Sequence, residues 1–152
     1  MEMRCLCLTS MDYPKIYLYR RLVQAKLFID RHYAEKIDLD NIADEAYFSK
    51  FHFIRAFKNV YLKTPHQYLI SVRMERAMEL LKTGISVADV CYAVGFESLS
   101  SFSGLFRRIA GITPSEYLGR HQKLKSRMLQ SPLTFIPGCF AEKNGWIKKP
   151  QF

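Results

Sequence analysis

The sequence has no run of 18 apolar residues, so no segment reads as a membrane-spanning helix. Met1–Ser10 lacks the charged start and apolar stretch of a secretory leader. Met11 opens a more helix-like segment, so the first ten residues read as an over-extended start or a leader. The four cysteines (Cys5, Cys7, Cys91 and Cys139) form no C-x-x-C pair and no zinc-ribbon or zinc-finger spacing. Free thiols in a reducing cytoplasm are the expectation. His32, His52, His66 and His121 are scattered, and no paired carboxylates, nucleophile–base set or phosphate-cradling glycine loop occurs. Catalysis, a metal site and a cofactor are therefore not expected. Acid is in short supply: 14 Asp+Glu face 23 Lys+Arg, a net charge of +9. That excess says nothing about fold, but it attracts an anionic partner over long range. A basic surface with no such partner is the competing reading of charge alone.

Strand alternation is nearly absent, and helical periodicity runs almost throughout. With 49% apolar and 14% aromatic residues, the chain can build a core, and an all-α fold is expected. Leu18, Leu22, Ala25, Ile29 and Tyr33 lie on one face of a first helix. Asp38 is placed to cap a second, carrying Leu39, Ile42, Ala43 and Ala46. A third starts near Ser49 and carries Phe53, Ala56 and Phe57. Thr64-Pro65-His66-Gln67 combines a cap, a first-turn proline and a capping-box glutamine. It opens a fourth helix with Ile70, Met74, Ala77 and Leu81 on one face, stopped by Gly84. Ser86 with Asp89 starts a fifth helix bearing Val87, Val90, Cys91 and Val94. A sixth begins near Ser98 and carries Phe102, Leu105 and Phe106. Thr113-Pro114-Ser115-Glu116 reads as another capping box, opening a short seventh with Tyr117 and Leu118. From Lys123 to Phe152 the pattern weakens into a basic tail, with Leu133, Phe135, Ile136, Phe140 and Trp146 available to dock it.

The chain also matches itself. At a shift of 48, Ile37, Leu39, Ile42, Ala46 and Phe48 fall on Ile85, Val87, Val90, Val94 and Phe96. One extra residue, Glu97, then enters. At a shift of 49, Ser49, Phe53, Phe57, Lys58, Thr64, Pro65, Tyr68 and Leu69 fall on Ser98, Phe102, Phe106, Arg107, Thr113, Pro114, Tyr117 and Leu118. Apolar positions are kept and polar ones vary, as in a duplicated packing unit whose copies face different partners. Each copy reads as helix, turn, helix. Gly95 stands where the second copy must reverse through the left-handed region, and the first copy has Tyr47 there.

If Phe53, Ala56 and Phe57 point inward, Lys50, Phe51, Ile54, Arg55 and Lys58 point away from them. Phe51 and Ile54 beside Arg55 suit a major groove, where arginine bonds guanine and apolar groups meet the thymine methyl. Ser49, Lys50 and Lys58 are expected on phosphates. Burial of Phe51 in another contact and simple solvation of Lys58 are the competing readings. The second copy offers Leu99, Ser100, Ser103 and Gly104 to bases, and Ser98, Arg107 and Arg108 to phosphates. Less base-specific energy is expected there, because serine discriminates weakly and Gly104 has only backbone. The helix from Pro65 to Lys82 spans about 27 Å at 1.5 Å per residue. It can hold two reading helices about one DNA turn apart, near 34 Å, on one side of a duplex.

These residues resemble the signature of the AraC/XylS transcription regulators. The resemblance is carried by Ala93-Val94-Gly95-Phe96-Glu97-Ser98, Ser101-Phe102-Ser103, Phe106-Arg107-Arg108 and the run from Gly111 to Tyr117. Phe48-Ser49-Lys50-Phe51-His52-Phe53, with Arg55, Phe57 and Lys58, adds to it, as does Arg73 with Ala77, Leu80 and Leu81. It implies seven helices in two helix-turn-helix subdomains of homeodomain-like, three-helical form, joined by a long linker helix. It further implies a sequence-specific double-stranded DNA-binding regulator in the bacterial cytoplasm, at the nucleoid. Such a regulator is commonly an activator that contacts RNA polymerase. The positions it matches to base reading are Phe51, Ile54 and Arg55, then Ser100, Ser103 and Gly104. Three positions depart from the pattern: Gly104 replaces a long polar residue, Leu62 replaces a glycine, and Leu118-Gly119-Arg120 displaces an arginine.

The expected division is a leader over 1–17, a first subdomain over 18–63, a linker helix over 64–83, a second subdomain over 84–121 and a tail over 122–152. Too few residues precede the first helix for a ligand-binding domain, so the expectation is a stand-alone protein that sits on DNA as a monomer, with any small-molecule effector left open. Two other readings stay open. One is a helical protein-interaction module that has lost DNA binding. The other is an apolar effector site in the tail from Leu129 to Trp146.

Overall fold

A computed structural model gives the fold and describes residues 13–37 and 49–146. Among these residues all regular structure is helical: α1 (Tyr13–His32), α2 (Lys50–Tyr61), α3 (Pro65–Thr83), α4 (Val87–Ala93), α5 (Leu99–Ala110), α6 (Pro114–Gln130), a 3₁₀ turn (Pro132–Phe135) and α7 (Gly138–Lys143). The helix expected from Asp38, with Leu39, Ile42, Ala43 and Ala46, lies outside the described residues, as do Cys5, Cys7, Met11 and Tyr47. No helix among the described residues is long and apolar enough to cross a membrane.

Two cores form around one shared helix. The first collects Leu22, Ala25 and Ile29 of α1, Phe53 and Phe57 of α2, and Leu69 from the start of α3. The second collects Met74, Ala77 and Leu81 from the rest of α3, then Val90 and Cys91, Val94, Phe102 and Phe106. The internal repeat is visible in the ring geometry. Phe53 and Phe57 stand 5.5 Å apart, and Phe102 and Phe106 stand 5.8 Å apart. Phe57 meets Tyr68 edge-on at 5.7 Å, and Phe106 meets Tyr117 edge-on at 5.5 Å. Among the described residues, the phenylalanines and the tyrosine kept in both copies thus build or line the cores.

Local chemistry fixes the helix ends. At α3, the Gln67 amide donates to Thr64 Oγ1 at 3.2 Å, and the Thr64 amide donates to Gln67 Oε1 at 2.9 Å. Two otherwise orphaned amides are satisfied, and Pro65 needs no partner. Gly84 closes the helix at φ 100°. The capping box expected at α6 forms only in half. Thr113 accepts from the Glu116 amide, but the Glu116 carboxylate accepts from Arg120 at 2.7 Å instead of turning back to the cap.

Two expected boundaries move. The first helix is already formed at Tyr13 rather than near Leu18. The seventh expected helix is not short: α6 runs on to Gln130. No glycine or proline interrupts His121 to Gln130, and lysine, arginine, leucine, methionine and glutamine all favour helix, so propensity carries it after the apolar periodicity fades. In the tail, Ala141 is buried and the Phe140 and Trp146 rings meet edge-on at 5.7 Å, both still largely exposed.

Candidate nucleic-acid interface

Each copy offers one helix whose inner face is fixed by a phenylalanine pair. In α2, Phe53 and Phe57 are fully buried, which turns Phe51, Arg55 and Lys58 to the surface and leaves Ile54 half-buried beside them. Phe51 is 78% exposed. That figure decides against Phe51 as a core residue of this chain. A large aromatic left open beside two cations costs hydration energy that a duplex groove would recover. Ser49 caps α2 in an extended conformation, but its side chain makes no capping hydrogen bond. Nothing is described of the Lys50 side chain.

In α5 the same pattern recurs with different chemistry. Phe102 and Phe106 are buried. Ser100, Gly104, Arg107 and Arg108 are exposed, Leu99 is largely so, and Ser103 is half-buried. Ser98 is not idle: it caps α5 by accepting from the Ser101 amide at 3.4 Å, and its hydroxyl pairs with that of Ser100 at 2.8 Å. Only one of the two hydroxyl protons is used in that pair, so the other hydroxyl can still donate to a phosphate or a base. A Cβ added at Gly104 would meet nothing within 4 Å, so the glycine is not imposed by packing.

Neither α2 nor α5 has an acidic residue in its first turn. The positive ends of both helix dipoles are thus left without a carboxylate of their own first turn, and such ends favour phosphate. Two residues went unassigned in the sequence: His52 and Asn59, exposed on the flank of α2 beside Arg55. Their helical spacing from Arg55 was the available signal. Asn59 falls on Arg108 at the repeat shift of 49.

Below the surface, α1 is tied to α3 by a polar cluster. Asp30 accepts from Tyr68 at 2.8 Å and from Lys26 at 2.7 Å. Hydrogen bonding to Asp30, and then to Tyr68, pushes the Lys26 ammonium above its ordinary range, and burial pushes the Tyr68 hydroxyl up.

Residues 42–120 match a family model described as a helix-turn-helix domain. The chain belongs to the AraC/XylS family of transcription regulators. It is 32% identical over 112 residues to the MmsAB operon regulatory protein of Pseudomonas aeruginosa, covering 73% of this chain and 34% of that one. It is 35% identical over 107 residues to the HTH-type transcriptional regulator YdeC of Bacillus subtilis, covering 70% and 37%. The chain therefore spans about a third of the length of these curated relatives. Among solved structures it resembles the DNA-binding domain of AdpA in complex with a target DNA, with 30% identity, a TM-score of 0.63, and coverage of 74% of this chain and 96% of that one. The two-subdomain fold expected for an AraC/XylS protein is thus the fold found.

Proposed function

We propose that this AraC/XylS chain binds promoter DNA as a monomer, with α2 and α5 in successive major-groove segments. The observation that carries the reading is the paired helix: two copies bury the same phenylalanines and leave opposite faces open, one with Phe51 and Arg55, the other with Ser100 and Arg107. Base contacts are assigned to Phe51, Ile54, Arg55, Leu99, Ser100, Ser103 and the Gly104 backbone. Phosphate contacts are assigned to Ser49, Lys50, Lys58, Ser98, Arg107 and Arg108. The net charge of +9 supports the approach to a polyanion. The solved AdpA domain on its target supports the choice of duplex DNA. In the same reading the protein acts in the bacterial cytoplasm at the nucleoid, is an activator and touches RNA polymerase from a surface away from α2 and α5. No catalytic step is assigned.

The test is selection of bound genomic fragments, followed by titration of the chosen site against salt. If the four cations Lys50, Lys58, Arg107 and Arg108 each meet a phosphate, log K falls against log salt with a slope of about −3 to −4. Absence of any preferred fragment, with affinity indifferent to salt, would favour a protein-interaction module instead.

A further inference from the structure

The two units also touch directly, beside their cores. The segment after α1, Tyr33 to Ile37, belongs to the first unit. The turn Gly95-Phe96-Glu97 belongs to the second. Arg73, midway along α3, reaches between them: its Nε donates to the Tyr33 carbonyl at 2.7 Å, and its Nη2 donates to the Glu35 carbonyl at 2.9 Å. The same guanidinium lies 5.5 Å from the centre of the Phe96 ring. Against this clamp, Gly95 brings backbone onto backbone. A Cβ there would lie 2.6 Å from the Ala34 carbonyl oxygen and 3.1 Å from Arg73 Nη2. Tyr33 packs against both cores, and Lys36 pairs with Glu97 at 3.1 Å on the exposed rim. Glu97 is the residue that the second copy has in excess of the first.

We infer that Arg73 and Gly95 are positioning residues that lock the two units in one relative placement, so that the protein selects DNA sites by the spacing between their two halves. The inference rests on the DNA reading given above. The clamp is well placed for this role because Gly95 lies four residues before α5 begins at Leu99, so any slip at the clamp moves the second reading helix. Planar guanidinium on two carbonyls fixes direction as well as distance, and so adds to the constraint of the shared helix. A locked pair meets only one spacing well. One inserted base pair shifts the second half-site by about 3.4 Å and turns it by about 34°. A locked protein then gives up the base contacts of one unit, a loss of about 10-fold or more.

The first experiment needs no DNA. Nitroxide labels are placed by Asn59→Cys in α2 and Ile109→Cys in α5, in a full chain with Cys5, Cys7 and Cys139 changed to serine, and the distance distribution is measured. The parent is expected to show one narrow peak, Arg73→Ala a broadened one, and Arg73→Lys an intermediate width. Gly95→Ala is expected to shift or broaden the peak, which keeps the test sharp if Arg73→Ala folds poorly. A broad parent peak, or a folded Arg73→Ala as narrow as its parent, overturns the lock. The second experiment compares the selected site with the same site carrying one inserted base pair. The parent is expected to prefer the original by about 10-fold or more, and Arg73→Ala by under about 3-fold with unchanged affinity for random DNA. Equal discrimination by both overturns the spacing role. A parent that holds one distance yet binds all duplexes alike removes the DNA reading, and the spacing role with it, while the lock stands.

Discussion

The two helix-turn-helix units are one design used twice, and they differ where they meet the outside. Inward, Phe53, Phe57 and Tyr68 repeat as Phe102, Phe106 and Tyr117 with nearly the same ring separations. Outward, at the shift of 49, Phe51, Ile54 and Arg55 become Ser100, Ser103 and Gly104, while the cation Lys58 stays a cation, Arg107. Packing tolerates few changes at the first set, because a lost ring leaves a cavity. Recognition is free to diverge at the second. In the proposed reading, the first unit supplies more of the base discrimination, and the second relies more on phosphate contacts.

The largest expected effect tests the sameness of the interiors. Phe57→Ala and Phe106→Ala should each cost about 3–5 kcal/mol of unfolding free energy in denaturant titration. A cost in one unit several-fold below the other would break the equivalence. Next comes the difference in reading. Arg55→Ala should weaken binding to the selected site by about 1–3 kcal/mol in fluorescence anisotropy and relax preference at one base pair. Ser103→Ala should cost less, and equal losses on specific and random DNA would show that Arg55 only meets phosphate.

A smaller effect lies in the backbone. Leu62 and Gly111 hold corresponding places after α2 and α5, and both sit in the left-handed region, at φ 59° and 77°. Leu62 is 85% exposed, so its side chain gains little there. Leu62→Gly should relieve about 1 kcal/mol of strain and Gly111→Ala should add about as much, both read as melting shifts. The smallest concerns Gly104, where an added Cβ would meet nothing within 4 Å. Gly104→Ala should stabilise the chain by about 0.8–1 kcal/mol. Gly104→Arg, matching Arg55 at the repeat, should sharpen sequence preference at the second half-site.

Much of this was legible in residue order, because periodicity and caps are local. Thr64 with Gln67, Gly84, and the buried stripe of Met74, Ala77 and Leu81 all follow from neighbours within a turn or two. The outward set on α2 and α5 followed by subtraction once the inward set was placed. What local pattern missed is long-range or graded. Gly95 reads as a turn glycine, and its φ of 84° agrees, yet its second reason is the Ala34 carbonyl, 61 positions away. Arg73 stood out only within a resemblance, since nothing near it encodes the Tyr33 and Glu35 carbonyls it holds. Apolar spacing alone ends α6 too early, because it fades after His121 while helix propensity does not.

Hydroxyl-radical footprinting of the full chain on its selected DNA bears most directly on the claim that both outer faces read one duplex. Two protected patches about 10 base pairs apart on the same side of the helix are expected. A single patch, or two on opposite sides, would contradict it.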